Sequence, residues 1–364
     1  MTVAIQVADE QLWDALCLCW EGALATDDEV VPGGPRVSAP ALPEADAERS
    51  ADALASTLSQ LTQEVTYAAI EARAGELMMF HAGALCDQAT GATLAFVAPG
   101  GTGKTTLARI LGRVTGRGYV TDETVGVRPD LSIEPYRKPL SVRRSEPGPK
   151  DETSPLSLGL DVPQAAPWLA GIVLLSRDLP AGEPIAVEVV DDLDALVMLA
   201  PETSSLSRFE RPLHELADLV SAVGGLRIVR YHDAEDLEPL VGSVLAQSRS
   251  VTAASLGREV EPAPGGADDD DDAATDLRRG HLLDRVTCHG SSVVMVESGT
   301  GHRIVRLSPL GTAIIDRVGA GVTIERLEAF MLERFGPPAD GDVRSAVGEA
   351  VQALVDENVL KQMV

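Results

Sequence analysis

Ala98-Pro99-Gly100-Gly101-Thr102-Gly103-Lys104-Thr105-Thr106 is the stretch on which the reading of this chain turns. Gly100, Gly101 and Gly103 let successive backbone N–H groups turn inward as an anion nest. The apolar run 93–97 predicts a strand entering the loop, and 105–114 predicts a helix leaving it. That helix adds its positive N-terminal dipole to the nest. Lys104 can reach β- and γ-phosphates, and the Thr105 hydroxyl can ligate Mg²⁺. The pattern is a Walker A loop with Ala98 in the first glycine position. Gly100, Gly101, Thr102, Gly103, Lys104, Thr105 and Thr106 are therefore expected to hold a nucleotide.

Strands and helices alternate around this loop. Leu54, Leu58, Leu61 and Val65 recur at helical spacing within 47–73. A hairpin is expected from 77–86 and 92–98, turning at 87–91. Further strands are read at 119–127, 171–176, 183–190 and 226–231, and helices at 191–199, 212–223 and 236–247. Residues 26–48, rich in Pro, Gly and acid, read as a loop. The sum is an α/β domain with a mixed sheet over 1–257. Residues 258–276 contain Pro262, Pro264, Gly265, Gly266 and the run Asp268 to Asp272, which reads as an extended, solvated linker. The last part, 277–364, predicts a hairpin at 292–296 and 303–307, then three helices. Ser308-Pro309 is an N-cap with proline in the first helical position, opening a helix to about 318. Helices at 323–335 and 342–359 follow, the latter with Val347, Val351, Leu354, Val355 and Val359 on one face. This is a small α+β unit of winged-helix type.

Composition narrows the classes of function. Of 364 residues, 30 are Lys or Arg and 56 Asp or Glu, a formal net charge of −26. Such a surface repels phosphate backbones and anionic headgroups, so neither a nucleic-acid nor a membrane partner is expected. Hydrophobic residues at 45% suffice for a core, and with aromatics at 3% it must be built from Ala, Leu and Val. Cys17, Cys19, Cys86 and Cys288 form no CxxC pair, and Cys17 and Cys19 read as small buried hydrophobes. The first thirteen residues hold Asp9 and Glu10 but no Lys or Arg, so no secretory signal is expected. No apolar run approaches the ~20 residues that span a bilayer. A cytoplasmic protein is the expectation.

Walker A alone does not choose among ATPase, GTPase and kinase. Thr121-Asp122-Glu123 follows the apolar 118–120 and places two carboxylates at a strand end. One could hold Mg²⁺ while the other accepts a hydroxyl proton; an exposed acidic turn would look the same. His81, at a strand, could sit by the phosphates or simply be a packing or surface residue.

Together these residues resemble the HPr kinase/phosphorylase-like kinases. The match runs through Phe80-His81-Ala82-Gly83-Ala84-Leu85, the Walker A loop, Tyr119-Val120-Thr121-Asp122-Glu123 and Pro135-Tyr136-Arg137-Lys138-Pro139-Leu140-Ser141, and covers about 45–250. The resemblance implies a phosphoenolpyruvate carboxykinase-like P-loop fold that moves a γ-phosphoryl group to a serine or threonine hydroxyl, with ATP and Mg²⁺ as cofactors. By position, Asp122 would be the general base, Glu123 a magnesium-side carboxylate with Thr105, and His81 and Lys104 neighbours of the phosphates. The family usually carries an Asp-Asp pair, where this chain has Asp122-Glu123, and Thr105 stands where Ser is common. Arg137, Lys138 and Arg143 are further candidate contacts.

Residues 277–364 resemble the PqqD-like family in 304–316, 323–335 and 343–360. Such domains recognise leader peptides of ribosomally made, modified peptides, which implies that a leader adds a strand to the short sheet. A packing or dimerisation domain is the plainer alternative; a DNA-binding winged helix lacks the basic stripe it would need. The expectation is a kinase acting on a Ser/Thr hydroxyl of a precursor peptide captured by its leader, with self-association left open. The alternatives are a kinase for a small hydroxyl metabolite such as free serine, and a nucleotide-gated leader-binding protein without chemistry.

Overall fold

The computed structural model describes residues 2–25, 33–40, 42, 47–100, 102–144, 148–246, 276–299, 301–319, 321–338 and 341–363. Gly101 and the acidic run 268–272 lie outside the described residues. The chain forms two compact units. The first comprises Met1–Val190, Glu202–Phe209 and Ala222–Thr252; the second comprises Asp191–Pro201, Glu210–Ser221 and Ala253–Val364.

In the first unit, β1 (Ala4–Gln6) pairs in parallel with β2 (Arg36–Ser38), so the loop read at 26–48 contains a short strand. The helix α1 (Glu10–Cys19) starts at Asp9, whose carboxylate accepts from the Leu12 N–H at 2.9 Å. Cys17 and Cys19 lie on this helix, and all four cysteines are free. Leu12 and Leu16 of α1 share a core with Leu58, Leu61 and Val65 of α2 (Ala47–Ala72).

The main sheet begins with the expected hairpin, β3 (Met78–Asp87) antiparallel to β4 (Ala92–Val97). The Asp87 carboxylate closes its turn by accepting from the N–H groups of Ala89 and Thr90. After α3 (Lys104–Leu111) come β5 (Arg117–Thr121), β6 (Thr124–Val127), β7 (Ile133–Glu134), β8 (Leu140–Val142), β9 (Asp151–Thr153), β10 (Trp168–Ser176) and β11 (Ala186–Val189). Next are α4 (Asp192–Leu199), β12 (Thr203–Ser204), α5 (Pro212–Ala222), β13 (Leu226–Arg230) and α6 (Glu238–Leu245). The strand order is β11-β13-β10-β4-β3-β6-β7, with β5 and β12 also paired to β3. Because β10 is parallel to β4 and β13 while β3 is antiparallel to β4, the sheet is mixed. Phe96, Val173 and Val229 of its strands form one core with Leu107 and Leu111 of α3 and Val241 and Leu245 of α6. Gly83 faces Phe96 across the hairpin, and a β-carbon there would run into the ring.

The single strand expected at 119–127 is two. β5 pairs with Ala84 to Asp87 of β3 and β6 with Met78 to His81, and the chain breaks at Asp122-Glu123 between them. The Glu123 carbonyl accepts from the Ala82 N–H at 3.0 Å, which pins the break to the middle of β3. This interruption lifts both carboxylates out of the regular ladder.

The second unit is built on an antiparallel sheet, β15 (Leu282–Cys288), β16 (Ser291–Ser298) and β17 (Gly301–Leu307). The last two are the expected hairpin; β15 is not among the expected strands. β14 (Leu277–Arg279) pairs instead with β18 (Leu360–Gln362). The helices α7 (Pro309–Val318), α8 (Ile324–Phe335) and α9 (Val343–Asp356) are N-capped by the side chains of Ser308, Thr323 and Asp342. Ile314, Leu327, Met331, Val347, Val351 and Leu354 fill the core between them.

Two helices read from sequence as part of the first domain, α4 and α5, belong to this second unit. α4 packs on β16 and β17. Arg306 of β17 reaches Asp191 and Asp194 at the start of α4, each at 3.1 Å. Asp284 of β15 serves α5 as a cap from 70 residues away. Its Oδ2 accepts from the N–H groups of Leu213 and His214, and its Oδ1 meets His214 Nδ1 at 2.9 Å. Burial alone would raise the Asp284 carboxyl, but these contacts hold it below its ordinary pKa.

Candidate functional site

The phosphate loop joins β4 to α3, as its glycines predict. Gly103 is the N-cap of α3 at φ 103°, a backbone state that a side chain would strain. A β-carbon at Gly100 or Gly103 would meet nothing within 4 Å, so the loop borders open space. The Thr102 hydroxyl donates to the Pro99 carbonyl at 2.7 Å and closes the loop. Thr106 is exposed on the first turn of α3. Lys104 Nζ donates to the carbonyls of Ala98 and Pro99. Burial lowers the Lys104 pKa, opposed by the carboxylates of Glu202, Glu123 and Asp122.

Asp122 is the hub. Its Oδ2 accepts from the Thr105 hydroxyl at 2.7 Å, and its Oδ1 accepts from the Tyr119 hydroxyl at 3.0 Å. Lys138 Nζ lies 3.3 Å from Asp122 Oδ1 and 3.0 Å from Glu123 Oε2 and donates to the Pro139 carbonyl. Asp122 is 4% and Lys138 2% exposed, whereas the Glu123 side chain is 48% exposed. Burial alone would discharge Lys138, but the Asp122 and Glu123 carboxylates hold its pKa above the ordinary value. Burial also raises the Tyr119 phenol, helped by the Asp122 charge. Behind this group Glu152 accepts from the Ser141 hydroxyl at 2.7 Å, while its buried Oε2 makes no close hydrogen bond among the described residues. Burial raises its pKa, and Ser141 and Lys138 restrain the rise.

His81 stands on β3 opposite Thr124. Its Nε2 is 2.7 Å from Ser204 Oγ and its Nδ1 3.9 Å from Glu202 Oε2. Lys104, Thr105, Asp122 and Glu123 thus form one cluster, and His81 joins it through Glu202, whose charge acts on Lys104. Of the three further basic candidates only Lys138 meets the carboxylate pair, and Arg143 is exposed. Sequence reading misses Tyr119, Glu202 and Ser204. Tyr119 sits three residues before Asp122, the one signal available. No motif marks Glu202.

The donor set fits a magnesium nucleotide. Among the described residues no group of three His, Cys, Asp or Glu side chains could hold a metal by itself. Mg²⁺ is characteristically held by one or two carboxylates together with phosphate oxygens and water. Thr105 with Asp122 and Glu123 supplies hard oxygen donors of that kind beside a loop shaped for phosphate.

No family model and no curated protein matches the chain. Among solved structures, the Hpr(Ser) kinase/phosphatase from Coxiella burnetii matches at 12% identity, over 46% of this chain and 93% of that one. The TM-score is 0.25, and a likeness that low carries no weight. The fold class rests on the chain's own topology. It is mixed α/β. Among the described residues no helix is long and apolar enough to cross a membrane.

Proposed function

We propose that the protein is a Mg²⁺- and ATP-dependent phosphotransferase that phosphorylates a serine or threonine hydroxyl. The observation that carries this reading is the 2.7 Å contact of Thr105 with Asp122, which joins the phosphate loop to a buried carboxylate. Catalysis would rest on positioning and charge stabilisation, since phosphoryl transfer asks little covalent work of the protein. Lys104 neutralises phosphate charge, and Lys138 bridges Asp122 and Glu123, at 3.3 and 3.0 Å. Mg²⁺, when bound by Thr105 and a carboxylate, supplies charge neutralisation on the phosphates.

Asp122 is proposed as the general base and Glu123 as the magnesium-side carboxylate. The contact with Thr105 and the exposure of Glu123 favour a second reading in which the two exchange roles. Asp122→Asn and Glu123→Gln separate them: the base variant loses transfer at every Mg²⁺ concentration, and the metal-side variant recovers as Mg²⁺ rises.

The acceptor is proposed to be a ribosomally made precursor peptide whose leader adds a strand to the second unit's sheet. In support, β17 pairs with β16 on one side and with no other strand among the described residues. Incubation of the full chain with ATP, Mg²⁺ and a precursor encoded beside it, read by intact-mass spectrometry, tests the whole. One added phosphate, absent in Lys104→Ala, is expected. Leader and ATP binding with no added phosphate would refute transfer to the peptide.

A further inference from the structure

A cavity of about 600 Å³ lies within the first unit, and no residue of the phosphate loop lines it. Its walls include Trp13 and Leu16 of α1, Val65 and Ile70 of α2, and Met79 of β3. The size and the mixture of a mostly apolar wall with polar groups, among them the carboxylate of Glu134, are those of a small-molecule site. Trp13 and Leu24, also in the wall, are 52% and 57% exposed, so large apolar surface is left uncovered here.

Two arginines line the cavity. The guanidinium of Arg73 is engaged by Glu76 and Glu134, at 2.8 and 3.1 Å. Arg137 is half-buried and has no hydrogen-bond or ion-pair partner among the described residues. A guanidinium keeps its charge, and this one, with no partner among the described residues, is open to an anion that enters the cavity. In a chain of net charge −26, carboxylates to answer it are plentiful, yet none does among the described residues.

We propose that this cavity binds an amphipathic monoanion, with an aliphatic or aromatic body against the apolar walls and a carboxylate against Arg137. The site neighbours the carboxylate cluster along the chain on two sides. Thr124 in its wall follows Glu123, and Arg137 precedes Lys138. The proposal holds whether or not the chain transfers phosphate.

The test uses the full chain and 8-anilino-1-naphthalenesulfonate, whose fluorescence rises on binding, with decanoate, decanol and acetate as competitors. Decanoate should displace the probe at least about tenfold more tightly than decanol, and acetate not at all. Arg137→Gln should weaken decanoate by about tenfold and leave decanol unchanged. Ala69→Trp, which adds bulk to the α2 wall, should abolish specific probe binding with the far-UV spectrum unchanged. Equal competition by decanoate and decanol, an indifferent Arg137→Gln, or full probe binding in Ala69→Trp would each overturn the site.

Discussion

Lys138→Met should destabilise the first unit more than any other single substitution near the phosphate loop. Lys138 is almost fully buried and stands against two carboxylates, one of them, Asp122, equally buried. Removing one partner of a buried pair costs about 3–5 kcal/mol, because a charge stays behind without compensation. Asp122 keeps the hydroxyl donors of Thr105 and Tyr119, and Glu123 is free to turn to water, which places the cost near the lower figure, about 3 kcal/mol. At about 2–4 °C per kcal/mol for a unit of this size, the melting temperature should fall by about 6–12 °C. The assay has a built-in selectivity: Trp13, Trp20 and Trp168 are the chain's three tryptophans, and all lie in the first unit. Tryptophan fluorescence in a thermal or urea melt therefore follows that unit. Adding Asp122→Asn to Lys138→Met removes the stranded charge and should restore at least about 1.5 kcal/mol relative to the sum of the single changes. Additivity within about 0.5 kcal/mol would show that the lysine does not hold the Asp122 charge, and the electrostatic account of the site would fall with it.

Glu152→Gln should stabilise the protein at neutral pH by about 1 kcal/mol. The Glu152 carboxyl has a folded pKa above its ordinary 4.5, so its favourable contribution is complete below that value and is lost as pH rises through the folded pKa. The gain from Gln, read by fluorescence melts across pH, should therefore shrink towards zero in acid; a constant gain would contradict the sign. Asp284→Ala leaves two N–H groups of α5 and the His214 ring without their acceptor. It should cost about 1–3 kcal/mol and speed amide exchange at residues 213–216, whereas unchanged exchange would deny the cap. Among the thiols, Cys19 and Cys86 are buried, with burial pushing them up to about 12 and about 11. Cys288 is buried as well, and only Cys17 is partly open. A thiol-reactive disulfide should titrate one cysteine in the folded chain and four in urea; a second fast thiol would contradict the packing around α1, β3 or β15.

The phosphate loop is legible in the sequence because its chemistry is local. Three glycines, a lysine and a threonine must be neighbours, and the strand before and helix after are set by short-range pattern. The hairpin of β3 and β4 is readable for the same reason, with its Asx turn and alternation. What resists reading depends on distance. Lys138 is one basic residue among several until the fold brings it to Asp122, sixteen positions earlier in the chain. β15 hides because Arg285 and Thr287 are buried in it, bonded to Ser292 and, for Arg285, to Asp316, so its pattern looks like a polar loop. The break at Asp122-Glu123 follows from both flanking strands sharing β3, which no window of residues reveals.

The parentage of α4 and α5 bears on how such a chain could be assembled by recombination. A crossover at 258–276, where the sequence alone reads as a linker, looks like a clean seam between two genes. It would part α4 from the β16 and β17 strands it packs on, and α5 from the Asp284 carboxylate that caps it. Swapping in a foreign tail would then demand matching changes in the middle of the other partner. The two halves are bound to diverge as a pair, and a shuffled descendant would be recognisable by substitutions at 191–199 and 212–221 that track those in residues 277–364.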